Sequence, residues 1–291
     1  MTEEMVGLIG GSGLGDVLAE RFGKFEAVKV ATPFGKPSGA VMVGKFGNRK
    51  AAFINRHGDG HKLSPSDVPY AANIYALKKI GARAIISTCA VGSLKEEIAP
   101  KELVIVDQFI DKTFRRQSSF FGGIAAVHCE MAEPVCKRLG DKLAAAAKGI
   151  DVKTHKRGTY VCMEGPQFST RAESLMHRGW GGELIGMTAM PEAKLAKEAQ
   201  MCYALVAMAS DYDCWREQKT NMDKQTLLKE IIGNLQKATE NTIKLIEAFM
   251  QSEGAICSGD CVCRKSLELA VWTPKEKISD EDKKKLSVLF E

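Results

Sequence analysis

The 291-residue sequence lacks the features that mark several large classes of protein. Its 27 glycines and 9 prolines are close to the average share, which excludes collagen-like and low-complexity chains. The long apolar run at residues 202–209 is far shorter than the roughly 20 residues that a membrane-spanning helix needs. No block of five like charges occurs and the formal net charge is +5, so we expect neither a nucleic-acid partner nor a membrane.

Features of secreted proteins are missing as well. Residues 1–5 include two acids and lead directly into a strand-like segment, so they lack the basic and apolar regions of a secretory signal. Nine cysteines are far below the density of a disulfide scaffold, although three of them crowd residues 257–263. We therefore expect a cytoplasmic location.

Short apolar segments alternate with helical patterns along the chain, an order typical of α/β sheets. We expect strands at residues 5–9, 40–46, 50–55, 84–88, 102–109, 158–163 and 203–210. We expect helices at residues 67–80, 131–147, 171–178 and 191–200, and a long amphipathic helix at 226–250 that packs on the sheet. Beyond residue 252 the pattern dissolves, and the charged segment 275–285 is typical of a solvated tail. We therefore expect one domain over residues 1–252 and a C-terminal extension over residues 253–291.

Two segments carry residues suited to binding a small anion. Residues 7–16 form a glycine-rich turn after the first strand, where backbone N–H groups and the positive end of a helix can converge. A dinucleotide-binding motif fails there because Asp16 stands where its third glycine is required, and a plain turn is the alternative. Arg56 and His57 follow a buried strand in a glycine-flanked loop, and arginine offers a planar fork for phosphate.

Three further loop or strand ends could line a ligand. Thr170 and Glu173 form a capping box, which starts a helix, and Phe168 just before it could stack on a flat ring. Small residues at 87–94 would let a ligand approach the backbone at a strand end, and residues 187–188 end another short run. Each segment has a plainer alternative as a tight turn or as ordinary packing.

The apolar strand at residues 203–210 is followed by Asp211 and Asp213. Residues two apart on extended backbone face the same side, and the carboxyl end of a strand is a usual place for a ligand. Two such carboxylates repel each other when both are ionised, so one can keep its proton near neutral pH and act as a general acid. A solvated acidic turn is the alternative, but the apolar strand that precedes the two acids and the nearby Trp215 favour a buried acid pair.

Taken together, these motifs resemble those of the S-methyl-5′-thioadenosine phosphorylases, within the trimer-forming purine nucleoside phosphorylases. The resemblance implies a single-domain α/β fold with a central mixed sheet flanked by helices. It implies phosphorolysis of methylthioadenosine without a metal or an organic cofactor, in a homotrimer or a dimer of trimers. It extends from residue 7 to about residue 215 through the glycine turn and the segments 32–38, 56–58, 107–111, 131–134, 164–166 and 211–215.

The resemblance also implies roles for single residues, with Asp211 protonating the purine at N7 as the catalytic acid. Cys89 stands where this family carries a hydroxyl residue, so backbone N–H groups or Thr88 would hold phosphate there. His128 would reach the methylthio group of a substrate in a neighbouring subunit. The expected phosphate ligands are Ser12, Arg56, His57, Cys89, Ala90 and Thr188. The expected nucleoside contacts are Phe168, Ser169, Met187, Asp211, Tyr212 and Asp213.

Other functions stay open at this point. A purine nucleoside phosphorylase of broader specificity, acting on adenosine and inosine, is one alternative. A hydrolytic nucleosidase of the same fold would use water, which needs no cationic cradle such as Arg56 and His57. A non-catalytic nucleoside sensor would have no use for the acid pair.

The C-terminal cysteines resemble those of heat-stable members of the family, where they accompany disulfides. We therefore expect Cys261 and Cys263 to form a disulfide or to pair with other thiols, and Cys136 and Cys202 to lie close enough to pair. Zinc is the alternative, although Cys257 and the Cys-x-Cys pair supply three ligands without an adjacent fourth. Free thiols are a third reading, because stable disulfides are unusual in a reducing cytoplasm.

Overall fold

The computed structural model describes residues 4–11, 14, 17, 25–216, 223–256 and 260–290. Within this part of the chain, eleven strands form one mixed sheet. The resemblance implies such a sheet, whereas the sequence pattern predicts seven strands. β5 is its centre, since β1 and β11 flank it in parallel and its last residues pair antiparallel with β10. The strands are β1 (Met5–Gly10), β2 (Glu26–Val28), β3 (Val41–Phe46), β4 (Arg49–Asn55), β5 (Ala82–Ser93), β6 (Leu103–Val106), β7 (Gln108–Asp111), β8 (Thr154–His155), β9 (Thr159–Cys162), β10 (Leu184–Gly186) and β11 (Cys202–Asp211).

Helices cover both faces of this sheet, so alternate residues of its central strands enter two different cores. On β5, Ile85 lies in one core and Ile86 in the other; on β11, Leu205 and Val206 divide in the same way. Each such buried aliphatic side chain contributes about 1.5–3 kcal/mol, which explains the long apolar run of β11 and the adjacent buried isoleucines of β5. The α-helices with both ends in the described residues are α1 (Tyr70–Lys79), α2 (Lys137–Ala147), α3 (Arg171–Gly179), α4 (Glu192–Glu198), α5 (Lys224–Gln251) and α6 (Asp280–Leu286).

Two predicted elements differ from the structure. The helix expected over residues 131–147 begins only at Lys137, because Pro134 lacks an N–H and Cys136 keeps an extended backbone before the first turn. The strand expected over residues 102–109 divides into β6 and β7 at Asp107. The Asp107 carboxylate accepts a hydrogen bond from the Gly158 amide at 2.9 Å, and the two halves then pair with different strands.

The segment 275–285, expected as a solvated tail, contains no buried residue, but it is partly helical and leads into a docked end. Leu286 and Leu289, just beyond it, are buried in the same core as α1, and the Tyr75 hydroxyl donates to the Lys285 carbonyl at 3.2 Å. The charged residues of α6 point outward, whereas Leu286 is buried. A lysine-rich helix therefore packs on the domain through a single apolar side chain. The domain boundary expected at residue 252 stays a prediction, although α5 ends one residue earlier.

The structure shows no disulfide among the described cysteines. The sulfur of Cys261 lies 3.5 Å from that of Cys202 and 3.8 Å from that of Cys136, well beyond a bond of about 2.05 Å. The expected proximity of Cys136 and Cys202 is confirmed, since both sulfurs belong to one group with all separations within 4.8 Å. None of the helices in the described part of the chain combines the length and apolar character needed to span a membrane.

Candidate functional site

The candidate site lies where the carboxyl ends of β1, β4, β5 and β11 meet. These four strands are parallel neighbours, so their ends open at the same edge of the sheet. A cavity of about 330 Å³ forms there, within the usual size range of small-molecule sites. Nine of the residues predicted from the sequence line it: Arg56, His57, Cys89, Ala90, Phe168, Met187, Thr188, Asp211 and Asp213.

Arg56 is completely buried at the floor of this cavity. Its Nε donates to Glu192 Oε2 at 2.9 Å and its Nη2 donates to Glu192 Oε1 at 3.2 Å. Nη1 donates to the Thr88 carbonyl at 3.0 Å, and Nη2 also reaches the Ser87 hydroxyl at 2.6 Å. Glu192 therefore neutralises the guanidinium, and the Nη1 side faces Gly11 of the glycine turn, where a Cβ atom would lie 3.6 Å from it.

His57 lies beside Arg56 and is neutral at pH 7. Burial lowers the pKa of His57 to about 4, and the Arg56 charge acts in the same direction. Its Nδ1 lies 2.8 Å from the Leu63 carbonyl; a carbonyl only accepts, so Nδ1 carries the proton. The Nε2 atom is then left as an acceptor, which suits a protonated phosphate oxygen.

Backbone and small side chains line the cavity between the Arg56-His57 pair and the acid pair. The Thr188 amide donates to the Tyr160 hydroxyl at 3.3 Å, and the Cys89 sulfur lies 3.8 Å from the same hydroxyl. Burial raises the pKa of the Cys89 thiol to about 11, so Cys89 is an uncharged thiol at pH 7. Residue 186, next to Tyr160, must be a glycine, because any side chain there would collide with the Tyr160 ring and hydroxyl.

Asp211 and Asp213 face the opposite end of the cavity. Asp211 Oδ1 accepts from the Asp213 amide at 2.7 Å, and Asp211 Oδ2 lies 2.6 Å from the Ser210 hydroxyl. Burial raises the pKa of Asp213, and the nearby charge of Asp211 adds to the effect. The two acids thus lie together as the sequence predicts, and Asp213 is the one whose surroundings favour the protonated form.

A glycine makes room for this acid pair. A Cβ atom on Gly92 would lie 3.1 Å from the Asp213 Cβ and 3.3 Å from Asp211 Oδ1, closer than most Cβ contacts allow. The left-handed φ of 49° at Asp213 turns the chain back toward the cavity after β11 ends. The position of both carboxylates therefore depends on residue 92 having no side chain.

Three of the predicted site residues that the structure describes do not line this cavity, and a fourth, Ser12 in the glycine turn, lies outside the described residues. Ser169 lies behind the cavity lining: its hydroxyl is 3.6 Å from the sulfur of Met163, and Met163 lines the cavity. The Tyr212 hydroxyl donates to the Glu96 carbonyl at 3.3 Å. His128 packs edge-on against Trp272, with 5.4 Å between ring centroids, and Trp272 is 72% exposed.

Two buried ion pairs were missed by sequence reasoning. Glu192, the partner of Arg56, stands in the first turn of a helix, where an acid is common for other reasons. Arg116 donates to Glu164 at 3.1 Å and to the Met187 carbonyl at 2.6 Å, which fixes the loop that presents Met187. Burial alone would raise the pKa of Glu164, but hydrogen bonds from Ser66 and the Phe114 amide, with the Arg116 charge, lower it to about 2.

The sequence profile of the Phosphorylase superfamily matches residues 5–251 of this chain. The chain belongs to the phosphorylase superfamily. The α/β phosphorylase fold and the family expected from the sequence are therefore confirmed.

Similar members of this superfamily share most of the chain. The S-methyl-5′-thioadenosine phosphorylase of Geobacter sulfurreducens is 42% identical over 99% of this chain and 98% of its own length. A methylthioadenosine phosphorylase from an Antarctic soil metagenomic library has a similar crystal structure, with TM-score 0.87, 41% identity and 99% of both chains covered. A variant of the Schistosoma mansoni adenosine/methylthioadenosine phosphorylase, solved with methylthioadenosine, is 34% identical with TM-score 0.78 over 85% of this chain and 91% of that chain.

Proposed function

We propose that this phosphorylase cleaves S-methyl-5′-thioadenosine with phosphate, giving adenine and 5-methylthioribose 1-phosphate. The observation that carries the proposal is one cavity with an arginine and a neutral histidine at one end and a paired-carboxylate acid at the other. Relatives that are 42% identical over nearly the whole chain carry the same activity in their names.

The first half of the site would hold phosphate. Arg56, His57, Thr188 and the backbone at Cys89 and Ala90 line the floor of the cavity. Ser12, in the glycine turn, is proposed as a further ligand. Because Glu192 balances the charge of Arg56, the guanidinium binds phosphate mainly through directed N–H groups rather than through excess positive charge.

The second half would hold the nucleoside. Phe168, which is 84% exposed at the mouth of the cavity, would cover the purine when substrate is present, and Met187 would lie against the ribose. Ser169, Tyr212 and Asp213 would contact or support the purine edge. In the substrate complex Asp213 would accept from the 6-amino group, and this hydrogen bond would favour the ionised carboxylate, which burial disfavours in the free enzyme. A 6-oxo purine would instead place an oxygen against that carboxylate and would be rejected.

The reaction then follows from charge. Breaking the N-glycosidic bond develops positive charge on the sugar and negative charge on the leaving purine. Bound phosphate stabilises the first charge and attacks C1′, while Asp211 delivers a proton to purine N7 and neutralises the second. Binding phosphate and nucleoside together removes the entropic cost of their encounter. This sequence of bonds and protons balances without a metal or an organic cofactor.

We also propose that the active enzyme is a trimer or a dimer of trimers. His128 lies beside the exposed Trp272 rather than in the lining of the cavity of its own chain, which suits a residue that serves a neighbouring subunit. Light scattering combined with activity across protein concentrations tests this. A fully active monomer would contradict it. The cytoplasmic location stays a prediction.

Product identification tests the proposed function. The enzyme is incubated with methylthioadenosine and phosphate, and the products are separated by chromatography and identified by mass spectrometry and phosphorus NMR. We expect adenine and a sugar 1-phosphate in equal amounts. Free 5-methylthioribose in place of the phosphate ester would identify a nucleosidase. A comparison of kcat/KM on adenosine and inosine then separates the proposed specificity from that of a broader purine nucleoside phosphorylase.

A further inference from the structure

Four cysteine sulfurs meet at one point away from the phosphorylase cavity. They belong to Cys136, Cys202, Cys261 and Cys263, and all of their mutual separations are within 4.8 Å. Cys136 precedes the first turn of α2, Cys202 begins β11, and the other two lie at a short 3-10 turn, Val262–Lys265. The group therefore joins three elements that are far apart along the chain.

The spacing of the sulfurs fits one tetrahedral metal ion. Zinc–sulfur bonds of about 2.3 Å directed to the corners of a tetrahedron hold the sulfurs about 3.8 Å apart. The separations of Cys261 are 3.8 Å to Cys136 and 3.5 Å to Cys202. Four thiols around a common centre are the ligand set of structural zinc sites, whereas two disulfides would divide them into bonded pairs at about 2.05 Å.

The surroundings suit a closed structural site. Cys202 is fully buried and Cys136, Cys263 and Cys261 are 3%, 5% and 8% exposed, so no position is open for a substrate. Arg138, two residues after Cys136, ion-pairs at 3.8 Å with Asp260, which precedes Cys261, so this pair links two of the ligand-bearing segments. A groove of about 1030 Å³, lined by three of the four cysteines, gives the ion a route in from solvent.

We propose that Cys136, Cys202, Cys261 and Cys263 form a structural zinc site. The four thiols lose their protons to solvent as the ion binds, and no oxidant or reductant is needed. The site fastens the C-terminal segment to the start of β11, the strand whose opposite end carries Asp211. Its effect is therefore expected on stability and on the packing of the C-terminal segment rather than on the chemical step.

This site lay beyond the reach of the sequence pattern, because Cys136 and Cys202 supply the missing ligands from distant positions. Cys257, a candidate zinc ligand from the sequence pattern, lies outside the described residues. The site does not depend on the proposed function, so each can fail without the other.

Metal analysis of the full-length protein, purified without chelator, tests the proposal. We expect about one zinc per chain, lost in a Cys261→Ser/Cys263→Ser variant and retained in Cys129→Ser. Cys129 is a matched control because it is a partly buried cysteine outside the group: its sulfur donates to the Ser266 carbonyl at 3.7 Å, and it packs against a different core from the four clustered cysteines. Cobalt in place of zinc should give the charge-transfer and d–d absorption of a tetrahedral tetrathiolate.

Thiol titration covers the case in which the double variant fails to fold. After denaturation with a chelator and no reductant, the wild-type protein should show all nine thiols. Wild-type protein that carries no zinc, even after refolding with zinc present, would overturn the proposal. A titration that finds four thiols missing would overturn it in favour of two disulfides.

Discussion

Arg56 is buried against Glu192, so its removal should affect both the stability of the fold and the use of phosphate. In Arg56→Met, Glu192 Oε1 keeps hydrogen bonds from Ser87 and from the Tyr203 hydroxyl at 2.9 Å, but the bond to Oε2 comes from Arg56 and is lost. Breaking one member of a buried ion pair costs about 3–5 kcal/mol, a large share of a typical stability of about 5–15 kcal/mol. A lost charge-assisted hydrogen bond to phosphate, worth about 1.5–3 kcal/mol, should raise the phosphate KM roughly 10–100-fold.

Two further variants separate these effects. Glu192→Gln should lower the free energy of unfolding to a similar extent, but it should not raise the phosphate KM, because Arg56 keeps its charge and loses its counter-charge. The double variant Arg56→Met/Glu192→Met removes both charges and should recover most of the stability without recovering phosphate binding. Chemical denaturation measures stability, and initial rates at varied phosphate measure KM.

Two results would contradict a direct role of Arg56 in phosphate binding. An unchanged phosphate KM in Arg56→Met would remove Arg56 from the phosphate site. Recovery of phosphate KM in the double variant would show that the single substitution acts only by leaving Glu192 buried without its cation.

Three further predictions concern the acid pair and the histidine. Asp211→Asn should lower kcat for methylthioadenosine by roughly 10²–10⁴-fold, because an amide cannot protonate N7. The same variant should shift the preference of the enzyme toward 6-oxo nucleosides. A larger loss of kcat in Asp213→Asn would assign the acid role to Asp213. Gly92→Ala should lower kcat by roughly tenfold or more by displacing both acids, whereas Gly233→Ala, whose Cβ meets no neighbour, should not; equal kcat in the two variants would refute the close fit. Because the pKa of His57 is depressed to about 4, the unfolded chain binds more protons than the folded chain between pH 6.5 and about 4. The free energy of unfolding should therefore fall as the pH is lowered through this window, and it should fall less steeply in His57→Gln. Equal slopes for the two proteins would contradict a buried, neutral His57.

The sequence predicts those parts of the site that follow buried strands. An apolar run that ends in Asp211 and Asp213, and an Arg56-His57 pair that follows β4, place functional groups at one sheet edge because parallel strands end there together. The alternation of strands and helices follows from the alternation of short apolar runs with helical spacing along the chain.

What the sequence does not predict is which distant residues meet. Glu192 lies 136 residues from Arg56, and its position in a first helical turn has a sufficient local explanation. The lysine-rich C-terminal segment conceals Leu286 and Leu289, whose burial depends on a surface offered by α1 rather than on their own neighbours. Such contacts are decided by tertiary packing, which local pattern does not encode.

The initial rate of adenine release as a function of phosphate concentration distinguishes phosphate from water as the nucleophile. With methylthioadenosine saturating and phosphate removed enzymatically from all reagents, the account predicts a rate that starts at zero, rises with phosphate and saturates, with one sugar 1-phosphate formed for each adenine. A rate that is already maximal without phosphate would show that water is the nucleophile and that the anion site at Arg56 and His57 has another purpose.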